Sequence, residues 1–164
     1  MRDFRTVGIV VAKRPLSGPW ASHTFVATAV LPDAPAIPAG TPLGRQGEDE
    51  TFYAGAAELS IYAQATGHYR DNLASAQPTV WVVLRPVGED VELVSATVDP
   101  YEGEALAESI GDIVETAPMP AAVRAWLAAF YDAFHVERAF VKRQRDRADP
   151  DPLGRRGRAP LEEE

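Results

Sequence analysis

Apolar and polar positions along the chain change period about two thirds of the way through. Thr6–Lys13 (TVGIVVAK) is a β-branched run closed by Pro15, Gly18 and Pro19, the pattern of a buried strand. Trp20–Leu31 alternates over Thr24–Val30 and predicts a second strand, joined to the first by a Pro/Gly turn. Pro32–Gly47 carries four Pro and three Gly, fits no regular element, and predicts a long loop. Glu50–Ala63 predicts a third β-region, with Leu59 and Ile61 on one face. Gln64–Ser75 is short and polar, a loop or one helical turn. Thr79–Val87 and Val91–Val98 predict two more strands, with Gly88-Glu89-Asp90 as a three-residue hairpin connection.

Beyond Val98 the period becomes helical. Asp99 and Pro100 supply an N-cap and an N1 proline, Glu102 and Glu104 follow, and Gly111 is a stop after about Ile110. Ile113-Val114 adds a brief extended segment. Met119-Pro120 opens a second helix, whose Val123, Trp126, Leu127, Phe130 and Phe134 share one face. Its three aromatic rings make it the expected lid of the sheet. Roughly five strands followed by two helices argue an α+β fold with a mostly antiparallel sheet. Residues 1–147 are expected to form one domain.

Composition sharpens the end of the chain. The 164 residues carry 16 basic and 24 acidic groups, a net charge of −8. Residues 136–164 hold eight basic and seven acidic groups, so the body before them is strongly acidic. An acidic body disfavours nucleic acid, because phosphate affinity needs a basic face. Residues 148–164 have only Leu153 and Leu161 as large apolar groups and are expected to be a disordered tail. Val136–Arg147 differs: Val136, Phe140 and Val141 stand among basic residues. That is the composition of a segment docking on a partner through Phe140, Lys142, Arg143 and Arg145, or folding back on its own sheet.

Candidate chemistry is sparse. The absence of cysteine excludes disulfides and thiolate chemistry. No phosphate-binding, dinucleotide or nucleophile-elbow motif is present. His23, His68 and His135 lack metal-ligand spacing, so neither a metal nor a cofactor is expected, and no catalytic residue is assigned. His68 is the best single general-base candidate, though its first reading is a polar loop residue. Trp20, His68 and Tyr69 are candidate ligand or contact residues. The charged N-terminus and short apolar run suggest neither signal peptide nor membrane span, hence a cytoplasmic protein, and the Ala/Arg/Asp/Pro-rich composition suggests a high-GC bacterium.

Several segments carry a family resemblance through their order along the chain. They are Val10–Pro15 with Pro19-Trp20, Tyr69-Arg70-Asp71-Asn72-Leu73, Pro78–Arg85 and Val98-Asp99-Pro100-Tyr101-Glu102. Met119-Pro120, Trp126 and His135-Val136-Glu137 with Phe140, Lys142, Arg143 and Arg145 complete the set. Over residues ~6–147 the chain resembles an uncharacterised proteobacterial family. That family is a domain of unknown function encoded beside formate dehydrogenase and its maturation factors. The resemblance implies a non-catalytic accessory or assembly protein, whose partner is a subunit or maturation factor of that molybdenum enzyme. A small-molecule module, with a pterin, nucleotide or oxyanion under the Pro32–Gly47 loop, is the alternative.

Overall fold

The structure, a computed structural model, describes residues 1–19 and 22–137. Seven strands and three α-helices follow in the order β1 (Arg2–Pro15), β2 (His23–Leu31), β3 (Pro42–Gln46), β4 (Asp49–Tyr62), α1 (Thr66–Ala74), β5 (Thr79–Val87), β6 (Asp90–Thr97), α2 (Pro100–Ala107), β7 (Ile113–Pro118) and α3 (Ala121–Phe134). The fold is α+β and every strand pairing is antiparallel. Strands and helices are not segregated along the chain as expected, because α1 precedes β5 and β7 separates α2 from α3.

The strands form two sheets, β2-β1-β4-β3 and β6-β5-β7. They approach each other along two seams, β4 beside β6 and β2 beside β7. Six strands thus circle in the order β1, β2, β7, β5, β6, β4. The ring is a partly open barrel, hydrogen-bonded everywhere except at those seams. Closure needs strong bending, and β-bulges supply it. One extra residue is inserted at Thr28 against β1, Ala54 against β1, Leu43 against β4 and Val94 against β5. Gly55, beside the Ala54 bulge, has φ +132°, a backbone conformation that favours glycine.

Alternation fills the barrel. Val7, Ile9 and Val11 of β1, Leu59 and Ile61 of β4, and Val80, Val82 and Leu84 of β5 join one core with Phe25, Ala96, Val98 and Ala117. Val123, Leu127 and Phe130 of α3 and Tyr69 of α1 complete it and plug one end. The expected lid is therefore a plug: α3 caps the end of a barrel, with Trp126 and Phe134 only partly buried. Trp126 donates to Asp3 at 2.9 Å and Arg5 donates to the Ala122 carbonyl at 3.0 Å, fixing α3 to the start of β1.

From Val7 to Ala12 β1 is buried on both faces. Its outer face at Gly8 is covered by Tyr53 and Pro35; a Cβ there would lie 2.9 Å from the Tyr53 ring. The segment from Pro32 thus folds over the barrel wall and then forms β3, a strand its Pro/Gly content concealed. α2 lies on the outer face of β5, where Gly103 packs on Trp81 so closely that a Cβ would fall 2.3 Å from its Cγ.

Candidate functional site

The helical end is densely bonded. The Asn72 amide donates to the carbonyls of Thr79 and Val98, both at 2.8 Å, and accepts from the Thr79 N–H at 2.9 Å, tying α1 to the ends of β5 and β6. Tyr69 is a core residue, 1% exposed, and its hydroxyl accepts from the Tyr62 N–H at 2.9 Å. Burial pushes its phenol up to about 12. Tyr69 therefore offers no surface for a ligand.

His68 lies on α1, not in a loop, and half of its side chain is exposed. Its Nδ1 is 3.0 Å from Asp99 Oδ2, while Asp99 Oδ1 accepts from the Tyr101 and Glu102 N–H groups and caps α2. Tyr101 lies against the imidazole, ring centroids 4.4 Å apart, and donates to Asp71 at 3.1 Å. That bond holds the Tyr101 phenol above its ordinary value. Two segments thirty residues apart in sequence, Tyr69–Leu73 and Asp99–Glu102, thus meet here. The arrangement orients an imidazole, and its bonds join α1 to α2. Among the described residues no group of three His, Cys, Asp or Glu is placed to hold a metal ion.

The opposite end is open. There β3 occupies the side of β4 toward β6, pairing Pro42 with Phe52 and Arg45 with Glu50, and the seam between the sheets spreads into a groove. Its closed end is at Gly55, where Ala39 from the Pro-rich segment and Leu93 of β6 come within 3.6 Å of a Cβ position. From there it widens to a volume of about 1040 Å³. The floor and walls include Phe52, Ala54, Ala56, Val91 and Leu93, with Lys13, Arg45, Glu50, Asp90 and Glu92 at the sides. Arg45 pairs with Glu50 at 2.8 Å and Lys13 lies 3.9 Å from Asp90. Glu92 has no ion pair among the described residues, because Arg85 opposite it on β5 is held by Asp112 at 3.0 Å.

The groove lies under Ala39–Arg45, within the segment whose Pro and Gly content marked it in the sequence. Val91, Glu92 and Leu93 carried no such mark, because their importance comes from which strand is missing beside them. Trp20, Phe140, Lys142, Arg143 and Arg145 lie outside the described residues.

The matched span decides the family. A family model described as Protein of unknown function (DUF3305) matches residues 6–144. The chain is a member of the DUF3305 family. Comparison with curated proteins and with solved structures gives no match. The DUF3305 match runs from β1 through α3, so both the bonded helical end and the groove belong to the family's domain. No helix of the described residues is long and apolar enough to cross a membrane.

Proposed function

We propose that this DUF3305 protein is a non-catalytic accessory or assembly protein that receives a protein partner in the groove between β3 and β6. One observation carries the reading: two strand edges, each paired on one side only, flank an apolar-floored groove that no described element fills. Exposed strand edges are templates for pairing with another chain, and proteins otherwise cover or blunt them. The resemblance noted in the sequence makes a molybdenum-dependent formate dehydrogenase, or one of its maturation factors, the partner to try first.

The test is co-expression of the full chain with the formate dehydrogenase subunits and maturation factors of its host, followed by affinity capture. Ala56 is exposed and lines the groove, so Ala56→Trp fills it without touching the core. Capture of one of those proteins by wild type, and its loss with Ala56→Trp, is expected. Equal capture by both would remove the groove from the reading, and no capture of any of them would remove the formate dehydrogenase link.

A small-molecule site is the second reading, favoured by the groove's size, which is near the upper end of ligand pockets, commonly ~300–1,000 Å³. Thermal unfolding with pterins, nucleotides and molybdate separates the two. A ligand at about 100 times its Kd should stabilise the fold by ~2.7 kcal/mol.

A further inference from the structure

The geometry points to strand addition at β6: the groove takes an extended partner segment that pairs with the β6 edge and alternates cationic and apolar residues. This inference rests on the groove reading above and states how the groove is used.

The turn before β6 fixes which backbone groups face the groove. Val87 pairs with Asp90 across a two-residue connection, Gly88-Glu89, and not the three-residue one that the sequence suggested. Gly88 has φ +61° and Glu89 is not among the positive-φ residues, the signature of a type II′ hairpin with glycine first. Such a hairpin is closed by a hydrogen-bonded pair, here Val87 with Asp90. The next pair, Pro86 with Val91, is then a non-hydrogen-bonded pair. The proline demands the same, since it has no N–H to give to β6. The Val91 N–H and C=O therefore point away from β5, toward the groove. β6 pairs with β5 alone, so no strand among the described residues receives them.

The side chains state the partner's chemistry. Val91 and Leu93 are half-buried and pack toward the core; Asp90 and Glu92, which alternate with them, are exposed. Cross-strand neighbours on one face interact directly, so an added strand would set an apolar residue beside Val91 and a cation beside Glu92, which has no ion pair among the described residues. The same acids disfavour a second copy as occupant. A two-fold pairing of β6 with β6 would bring Glu89, Asp90 and Glu92 of each chain against one another. The edge of β3 is a poorer template: it carries Pro42, the Leu43 bulge and Gly44 at φ +134°.

The test uses the full chain and three short labelled peptides, read by fluorescence anisotropy at low salt. The first alternates Lys and Val, the second alternates Glu and Val, and the third is the Lys–Val peptide with methylated backbone nitrogens. Binding of the first is expected, with the second and third at least about tenfold weaker, the loss of roughly 1.4 kcal/mol. Val91→Pro should lose binding to the same extent while keeping the β5 ladder, because Val91 already faces a proline. Glu92→Lys should weaken the Lys–Val peptide in particular. Undiminished binding of the methylated peptide would overturn strand addition, even if Val91→Pro fails to fold. So would failure of the Lys–Val peptide to bind, or equal binding of the Glu–Val peptide. A dimer of the free protein that Val91→Pro dissolves would assign the edge to a second copy instead. Partner capture blocked by Ala56→Trp but untouched by Val91→Pro would keep the groove and remove this inference alone.

Discussion

The two ends of this barrel satisfy their backbone in opposite ways. At the helical end, side chains finish what the strands leave undone: Asn72 takes both polar groups of Thr79 and the carbonyl of Val98, and Tyr69 takes the Tyr62 N–H. At the groove end the strands simply part, and β3 and β6 each keep an edge. The first arrangement specifies a fold; the second leaves valences for something else. The difference teaches where substitution should cost stability and where it should cost binding.

The sharpest way to break the contrast is to remove Asn72. Asn72→Ala leaves the buried Val98 carbonyl and the part-buried N–H and C=O of Thr79 without their partner, and a buried group orphaned in this way costs about 1–3 kcal/mol. We expect a loss of about 3 kcal/mol or more by urea denaturation; a loss below ~1 kcal/mol would show that the helical end is not held by this residue. Gly103→Ala comes next. Alanine in a helix normally gains up to ~1 kcal/mol over glycine, but here its Cβ meets Trp81 at 2.3 Å. Overpacking of that kind costs about 1–3 kcal/mol, so the sign should reverse. Tyr69→Phe should cost about 1–2 kcal/mol through the orphaned Tyr62 N–H. Its pH signature is distinct. With the folded phenol at about 12 against an ordinary 10.0, the native state binds more protons than the unfolded chain between those values. Wild-type stability should therefore fall as pH rises through that window, and Tyr69→Phe should remove the Tyr69 share of the fall, leaving what the raised Tyr101 phenol contributes.

The groove end should respond in the opposite manner. Ala56→Trp and Glu92→Lys alter exposed positions and should leave unfolding within about 0.5 kcal/mol of wild type, while partner or peptide binding is lost. A large stability loss in either would mean that the groove is part of the structural core.

How much of this was legible in the sequence follows the same division. β5 was readable to its bounds, Thr79–Val87, because a β-branched run between turn residues is a local signal. The Asp99 cap, with Pro100 behind it, was equally local and stands as read. α1 was missed as a full helix because its buried face is Thr66, Tyr69 and Asn72, mostly polar groups whose partners lie on other elements. β3 was hidden by Pro42 and Gly44, which belong to its guarded edge. The sequence marks His68 but offers Asp99 only as a helix cap; one carboxylate performs both tasks. The groove was legible only as a Pro/Gly-rich segment beside strands. The four bulges and two seams that open it depend on register between distant residues, and no local pattern encodes them.

The smallest expected effect concerns the second seam, where β7 meets β2. Glu115 of β7 is partly buried, and burial pushes its carboxyl up from the ordinary 4.5, with Arg14 partly opposing the shift. A carboxyl whose folded value is raised binds more protons in the native state than in the unfolded chain. Between 4.5 and that raised value, stability must fall as pH rises, the reverse of an ion-paired carboxylate. At neutral pH the full penalty is present, because both states are then ionised and only the folded one is desolvated. Glu115→Gln removes the charge and keeps the shape. It should therefore be slightly more stable than wild type at pH 7, with the advantage shrinking as pH falls toward 4.5. Urea titrations of both proteins at pH 5, 6 and 7 measure this directly. A variant less stable than wild type at pH 7 would mean that the Arg14–Glu115 attraction outweighs desolvation, and that this seam, unlike the groove, is held closed by charge.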